Sequence, residues 1–261
     1  MAQRTSYQFR SGELLQRQED VAEERMMQIV INGRPYTLTM CTPGDEESLT
    51  RGILHSEDVY TGMKTIRIEV GEMDLNSRSR VVQVWIPEEA LGPGMANQRN
   101  LMSVSSCGMC GKYDVDLELQ GDPLTTDIKL NQQFIPALFK TMRMNQPLFD
   151  AAGGTHASAA FDRRGQLLAC KEDIGRHNAV DKVIGSLLMT DQRSEAIILL
   201  VSGRISYEIV SKCYRAGIPF LAAVSAPSSL AIEYCESLGI TLMAFCRDDK
   251  FTVYTHVERI Q

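Results

Sequence analysis

A chain of 261 residues, 44% hydrophobic and 23% charged, can bury a substantial core in one large domain or two modest ones. Its formal net charge of −6 excludes a global nucleic-acid surface, which needs a basic excess, but leaves room for a local anion site. The longest apolar run, Ala196 to Val201, is too short to span a bilayer, and the polar opening stretch lacks the apolar centre of a signal peptide. Seven cysteines, an odd number scattered mostly among apolar neighbours, fit reduced thiols, so the expectation is a cytoplasmic protein without a membrane partner.

In chain order, residues 1–24 read as a loose N-terminal arm. "MQIVINGRPYTLTMCTP" then reads as a hairpin, because Asn32-Gly33 is the dipeptide that most readily takes the two positive φ angles of a type I′ turn. "GDEESLTRGILHSED" follows as a short helix with acidic residues near its start, as the helix dipole prefers. "MKTIRIEVGEM" and "SRVVQVWIP" are two more strands. A mostly β N-terminal domain over 25–120 is therefore expected, ending in a Gly- and Ser-rich loop that carries a CxxC pair.

From residue 121 onward, helical and strand patterns alternate. "NQQFIPALFKTMRMNQ" is helical, and "THASAAF" and "GQLLACKED" pair around "DRRG". "GRHNAVDKVIGSLLM" is a helix with Ala179, Val183, Ile184, Leu187 and Leu188 on one face. "EAIILLVSG", "IPFLAAVSA" and "ITLMAFCRDDKFTVYTH" supply strands, with helices in "RISYEIVSKCYRAG" and "PSSLAIEYCESLG" between them. The pattern predicts an α/β domain over 121–261, three layers thick, around a mainly parallel sheet.

Two strand-to-helix junctions stand out, since ligands of open α/β sheets sit where strands end. In Ser202-Gly203-Arg204-Ile205-Ser206 the glycine admits a ligand to backbone N–H groups and the arginine adds a fork of donors, so an anion site is favoured there. At Ser225-Ala226-Pro227-Ser228-Ser229 ordinary helix capping is favoured, with Pro227 in the first helical position. Glu172, Asp173, Arg176, His177, Asn178, Asp181 and Lys182 crowd a third junction. His177 and Asp181 share a helix face there, as an oriented general base or as a surface contact.

The pair Cys107 and Cys110, in "SVSSCGMCGKYD", admits several chemistries. A structural zinc site needs four ligands, and the chain has a single CxxC. A thioredoxin-like dithiol sits at a helix N-terminus just after a strand, whereas this pair lies in a Ser/Gly loop. A persulfide carrier needs a thiol that can ionise on a segment able to swing, and the loop composition fits this best. The polar neighbours Ser105, Ser106, Lys112 and Asp114 weigh against a buried, inert pair.

Taken together, "SSCGMCGK", "GGTHASA", "CKEDIGRHNAVDKVIG", "SGRISYEIVSK", "AGIPFLAAVSAPSSLAIE" and "FCRDDKFTVYTH", in this order, resemble the formate dehydrogenase accessory sulfurtransferases, the FdhD family. The resemblance runs from about residue 27 to His256. It implies a cytidine-deaminase-like C-terminal domain, but without the HxE and PCxxC zinc signature, so no deamination and no structural metal are expected. It implies a sulfurtransferase that takes sulfane sulfur from a cysteine desulfurase. The sulfur passes to the molybdenum (or tungsten) cofactor in its bis(molybdopterin guanine dinucleotide) form, the bound substrate, on behalf of formate dehydrogenase. It further implies Cys107 as persulfide carrier with Cys110 as its partner, a cofactor-binding stretch at Phe245, Cys246, Arg247, Asp248, Asp249 and Lys250, and a homodimer. A phosphate-rich cofactor suits the anion site at Ser202, Gly203, Arg204 and Ser206, and His177 is a candidate for orienting the loop or cofactor. The alternative is a chaperone that binds the cofactor and hands it over without carrying sulfur.

Overall fold

The computed structural model describes residues 1–62, 64, 66–74, 79–96 and 121–261. The CxxC pair and the "DLNSRS" turn's residues 75–78 lie outside the described residues. Strands β1 (Ala2–Arg10) and β2 (Glu13–Val21) pair antiparallel. Residues 2–21, expected as part of a loose arm, are thus a hairpin, closed by Ser11 and Gly12 at φ 52° and 87°. The turn signal is the weaker Ser-Gly rather than Asn-Gly, and polar residues on both faces erase the alternation that marks a strand.

Strands β3 (Arg25–Ile31), β4 (Arg34–Cys41), β5 (Arg67–Asp74) and β6 (Ser79–Trp85) form a four-stranded sheet in the order β4-β3-β6-β5. Asn32 and Gly33 take φ 48° and 78° at the β3–β4 turn, as the dipeptide predicts. One sheet face is covered by helix α1 (Glu46–Ser56), whose Leu49, Ile53 and Leu54 pack with Met27, Ile29, Ile31, Val82 and Val84. Glu46 and Glu47 open α1, where the dipole favours acid.

The second sheet has six strands: β7 (His156–Phe161), β8 (Leu167–Asp173), β9 (Ile198–Val201), β10 (Phe220–Ala223), β11 (Thr241–Arg247) and β12 (Lys250–Val253). Their order is β12-β11-β10-β9-β7-β8. Only β9–β10 and β10–β11 are parallel, so the sheet is mixed, not mainly parallel. The short turns in "DRRG" and "RDDK" force β7–β8 and β11–β12 to run antiparallel, since a parallel return needs a long crossover. Successive strand residues alternate between two cores. Leu199, Leu221 and Leu242 face helices α4 (Arg176–Met189), α5 (Tyr207–Arg215) and α6 (Ser229–Ser237). Ile198, Leu200, Phe220 and Met243 face helix α2 (Phe134–Met144) through Ile135, Leu138 and Met142. The short helix α3 (Pro147–Ala152) follows α2. Helices thus cover both faces of this sheet, and none among the described residues is long and apolar enough to cross a membrane.

Helix α4 is buried nearly all round because it lies between the six-stranded sheet and α1. Its own glycine and that of α1 permit this. A Cβ on Gly185 would stand 1.8 Å from the Ser48 carbonyl oxygen, and one on Gly52 would stand 1.9 Å from that of Asp181. The two helix backbones therefore touch, and the two sheets are joined through that contact.

Buried polar groups complete the junction. The Asp181 carboxylate accepts from Lys212 Nζ at 2.7 Å and from Ser56 Oγ at 2.7 Å, tying α4 to α5 and α1. Burial pushes the Asp181 carboxyl up, and Lys212 offsets part of that. His55 is 5% exposed and donates from Nε2 to the Arg215 carbonyl. Burial holds its pKa down at about 4, well under the ordinary 6.5. A folded-state pKa below the unfolded one means that the unfolded chain binds protons first as pH falls. Stability from this residue is therefore complete above pH 6.5 and is lost as pH falls from there to 4, a span worth about 3 kcal/mol. Urea unfolding against pH checks this: between pH 7 and 4, wild type should lose about 3 kcal/mol more than His55→Gln.

Candidate functional site

The carboxyl ends of β8, β9, β10 and β11 and the amino end of β7 meet at one edge of the six-stranded sheet. Five segments gather there: the start of β7 at His156, residues 173–177, 202–206, 225–228 and 245–250. They are cross-bonded through their backbones. Ser202 N–H donates to the Ala157 carbonyl at 2.9 Å and Ile205 N–H to the Ala226 carbonyl at 3.1 Å. Ser228 N–H donates to the Ile205 carbonyl at 2.9 Å and Phe245 N–H to the Ser225 carbonyl at 3.2 Å. The loop after β10 thus bridges the 202–206 and 245–250 stretches, which sequence reading assigned to one site.

Ser202 is half-buried. Its Oγ accepts from Ala157 N–H at 2.9 Å and lies 3.3 Å from His156 Nδ1. Gly203 is buried against Arg176 and His156: an added Cβ would stand 3.3 Å from Arg176 Cβ and Cδ and 3.4 Å from His156 Cε1. Arg204 is exposed beside it. Ser206 caps α5 by position only, because its hydroxyl donates to Glu208 Oε2 at 2.6 Å. Pro227 lies one residue before the α6 cap rather than at its first position, and Ser228 is the cap, accepting from Ala231 N–H at 3.2 Å.

The 245–250 stretch leaves β11, turns and enters β12. Phe245 is 43% exposed and holds φ +54°, a left-handed backbone that a bulky residue rarely takes. The β11–β12 register shifts at this point, between Ala244 and Arg247, so the backbone kink turns Phe245 outward while Cys246 stays buried. Arg247 Nε donates to the Val224 carbonyl at 3.3 Å. Asp248, Asp249 and Lys250 are exposed at the turn.

Most of the third junction is structural. Glu172 caps α3, accepting from Leu148 N–H at 2.9 Å, Phe149 N–H at 2.8 Å and Thr155 Oγ at 2.8 Å. Asp173 is fully buried. It accepts from Thr42 N–H, Gly175 N–H and Asn178 Nδ2 and pairs with Lys182 at 2.9 Å. Lys182 also donates to the Thr42 and Glu172 carbonyls, so this pair latches the end of β4 to the site edge. The Asp181 carboxylate, which shares a helix face with His177, accepts from Lys212 and Ser56. His177 itself is 7% exposed in the first turn of α4.

In the sequence His156 stands only within the "GGTHASA" motif; the structure puts it against Ser202 and Arg176. Burial, and secondarily Arg176, lower its pKa, so the ring is neutral. The antiparallel β7–β9 register produces this meeting, and no local motif signals it.

The five described cysteines are all free thiols, and none is exposed. Burial raises every one: Cys170 to about 11, Cys41 and Cys246 to about 12, and Cys213 and Cys235 well above the ordinary thiol value. Cys246, within the expected cofactor stretch, is therefore an inert core thiol. Cys107 and Cys110 lie outside the described residues.

The fold and edge define a class: an α/β protein with helices on both faces of a mixed sheet and its polar loops collected at one set of strand ends. Within it, residues 22–261 match the FdhD/NarQ family, and the chain belongs to that family. It is 40% identical over 265 residues to the sulfur carrier protein FdhD of Mycobacterium tuberculosis, covering 96% of this chain and 95% of that one. It is 41% identical over 243 residues to the protein of that name from Sulfolobus acidocaldarius, covering 92% and 90%. The fold superposes with a TM-score of 0.77 on the crystal structure of a candidate formate dehydrogenase accessory protein from Desulfotalea psychrophila. That protein is 26% identical, and the match covers 100% of this chain and 99% of that one.

Proposed function

We propose that this protein is a sulfur carrier for formate dehydrogenase. It takes sulfane sulfur from a cysteine desulfurase onto Cys107 and delivers it to a molybdenum cofactor in its bis(molybdopterin guanine dinucleotide) form. The supporting observation is the state of the other cysteines: burial raises all five described thiols, which leaves the CxxC pair to supply a thiolate. In the uptake step the Cys107 thiolate attacks the outer sulfur of the donor persulfide. A new S–S bond forms, the donor's S–S bond breaks, and the donor cysteine leaves as thiolate. Attack by Cys110 on Cys107 Sγ then expels the carried sulfur as sulfide and leaves a Cys107–Cys110 disulfide, which a thiol reductant must reopen.

The cofactor is a large anion, and an acidic protein can hold it where donors are locally concentrated. The edge at 202–206 and 245–250 offers the Gly203 main chain, Ser202, Arg204, Arg247 and Lys250, with Phe245 presenting an exposed ring. A cytidine-deaminase-like ancestry of this domain and a homodimeric assembly belong to the same proposal. The test is uptake of sulfur by the CxxC pair and by no other cysteine, on exposure to a cysteine desulfurase and free cysteine.

A further inference from the structure

Arg176 is the first residue of α4, and its aliphatic stem packs on the backbone of Gly203. Its Nε is buried and has no hydrogen-bond partner among the described residues. A buried donor left unmet is costly, so the site is suited to an acceptor. The nearby carboxylate that would neutralise the guanidinium, Asp173, is already committed to Lys182, Asn178 and two backbone N–H groups. The first turn of α4 holds no acidic residue. Across from Arg176, the neutral ring of His156 faces Ser202 Oγ through Nδ1. A ring that accepts there carries its proton on Nε2, which remains a donor.

We propose that Arg176, His156 and the Gly203 main chain form a phosphate subsite that takes the diphosphate of the nucleotide-bearing substrate. This rests on the cofactor site proposed above and adds two residues to it. An arginine fork is suited to two phosphate oxygens at once, and the α4 N-terminus adds its favourable dipole. Gly203 brings its main chain close to both side chains: an added Cβ would already stand 3.3 Å from Arg176 and 3.4 Å from His156.

The test is calorimetric titration of the full chain with inorganic pyrophosphate and with guanosine 5′-diphosphate, in wild type, Arg176→Gln and Arg176→Lys. Wild type should bind both. Arg176→Gln should bind each at least about tenfold more weakly, with Arg176→Lys between them. Pyrophosphate should also shift the His156 ring-proton resonance in the wild type, which a merely structural Arg176 does not explain. Wild-type affinity in an Arg176→Gln variant of unchanged unfolding temperature overturns the subsite while leaving the cofactor-site proposal standing. A wild type that binds neither ligand overturns both.

Discussion

Cys107→Ala should abolish maturation of formate dehydrogenase while leaving the affinity for guanosine 5′-diphosphate at the wild-type value. None of the described cysteines can stand in for the lost thiol. Even the least perturbed, Cys170 at about 11, is ionised to only about one part in ten thousand at pH 7, and its Sγ donates to the Asn145 carbonyl at 3.5 Å. Cys246 lies within the cofactor stretch, but its thiol is raised to about 12 and points into the core. The substitution removes the nucleophile and leaves Ser202, Arg204 and the 245–250 turn in place. The readouts are enzyme activity after incubation of apo-enzyme, cofactor and sulfur source with each variant, and nucleotide affinity by calorimetry. Full activation by Cys107→Ala would favour the chaperone alternative.

The largest expected loss of stability comes from Gly185→Ala. The new methyl would lie 1.8 Å from the Ser48 carbonyl oxygen, 2.7 Å from its carbon and 2.8 Å from the Gly52 nitrogen. All three are backbone atoms, so no rotamer change relieves the clash, and α1 and α4 must separate. Overpacking usually costs about 1–3 kcal/mol. A clash with backbone at this distance should reach about 4 kcal/mol or prevent folding. Gly52→Ala should behave alike, against Asp181. Gly154→Ala is the control: its methyl would make only ordinary contacts, with Ala22 Cβ at 3.5 Å and the Ala152 carbonyl oxygen at 3.8 Å, so its effect should stay within about 0.5 kcal/mol. Urea unfolding measures all three. Because α4 carries Arg176 and His177 at its start, a displaced α4 also displaces part of the candidate site.

Local signals were legible. Asn32-Gly33 marked its turn, and the strands and helices expected after residue 121 formed, though the short α3 was not among them. The β7–β8 pairing around "DRRG" was legible too, but the neighbour on the other side of β7 was not: only the assembled sheet sets β7 antiparallel to β9. That register brings His156 to Ser202, so the histidine's role was invisible one residue at a time. The reverse held at "KEDIGRHNAVDK". Its density of polar residues suggested chemistry, yet Glu172, Asp173, Asn178, Asp181 and Lys182 cap a helix or join the two sheets. Composition cannot separate a buried latch from a reactive cluster, since both need paired polar groups. The hairpin at residues 2–21 was missed because its apolar residues are few and exposed, Tyr7, Phe9 and Leu14 among them, so its period of two leaves only a weak hydrophobic trace.

The central claim is that sulfur travels on the CxxC pair, and peptide mass spectrometry tests it most directly. The reduced protein is incubated with a cysteine desulfurase and free cysteine, then digested under conditions that preserve persulfides. The account predicts one added sulfur atom on the peptide holding Cys107 and Cys110, and none on the peptides holding Cys41, Cys170, Cys213, Cys235 or Cys246. An unmodified CxxC peptide from a protein that still binds guanosine 5′-diphosphate would contradict it and point to a chaperone that carries the cofactor alone.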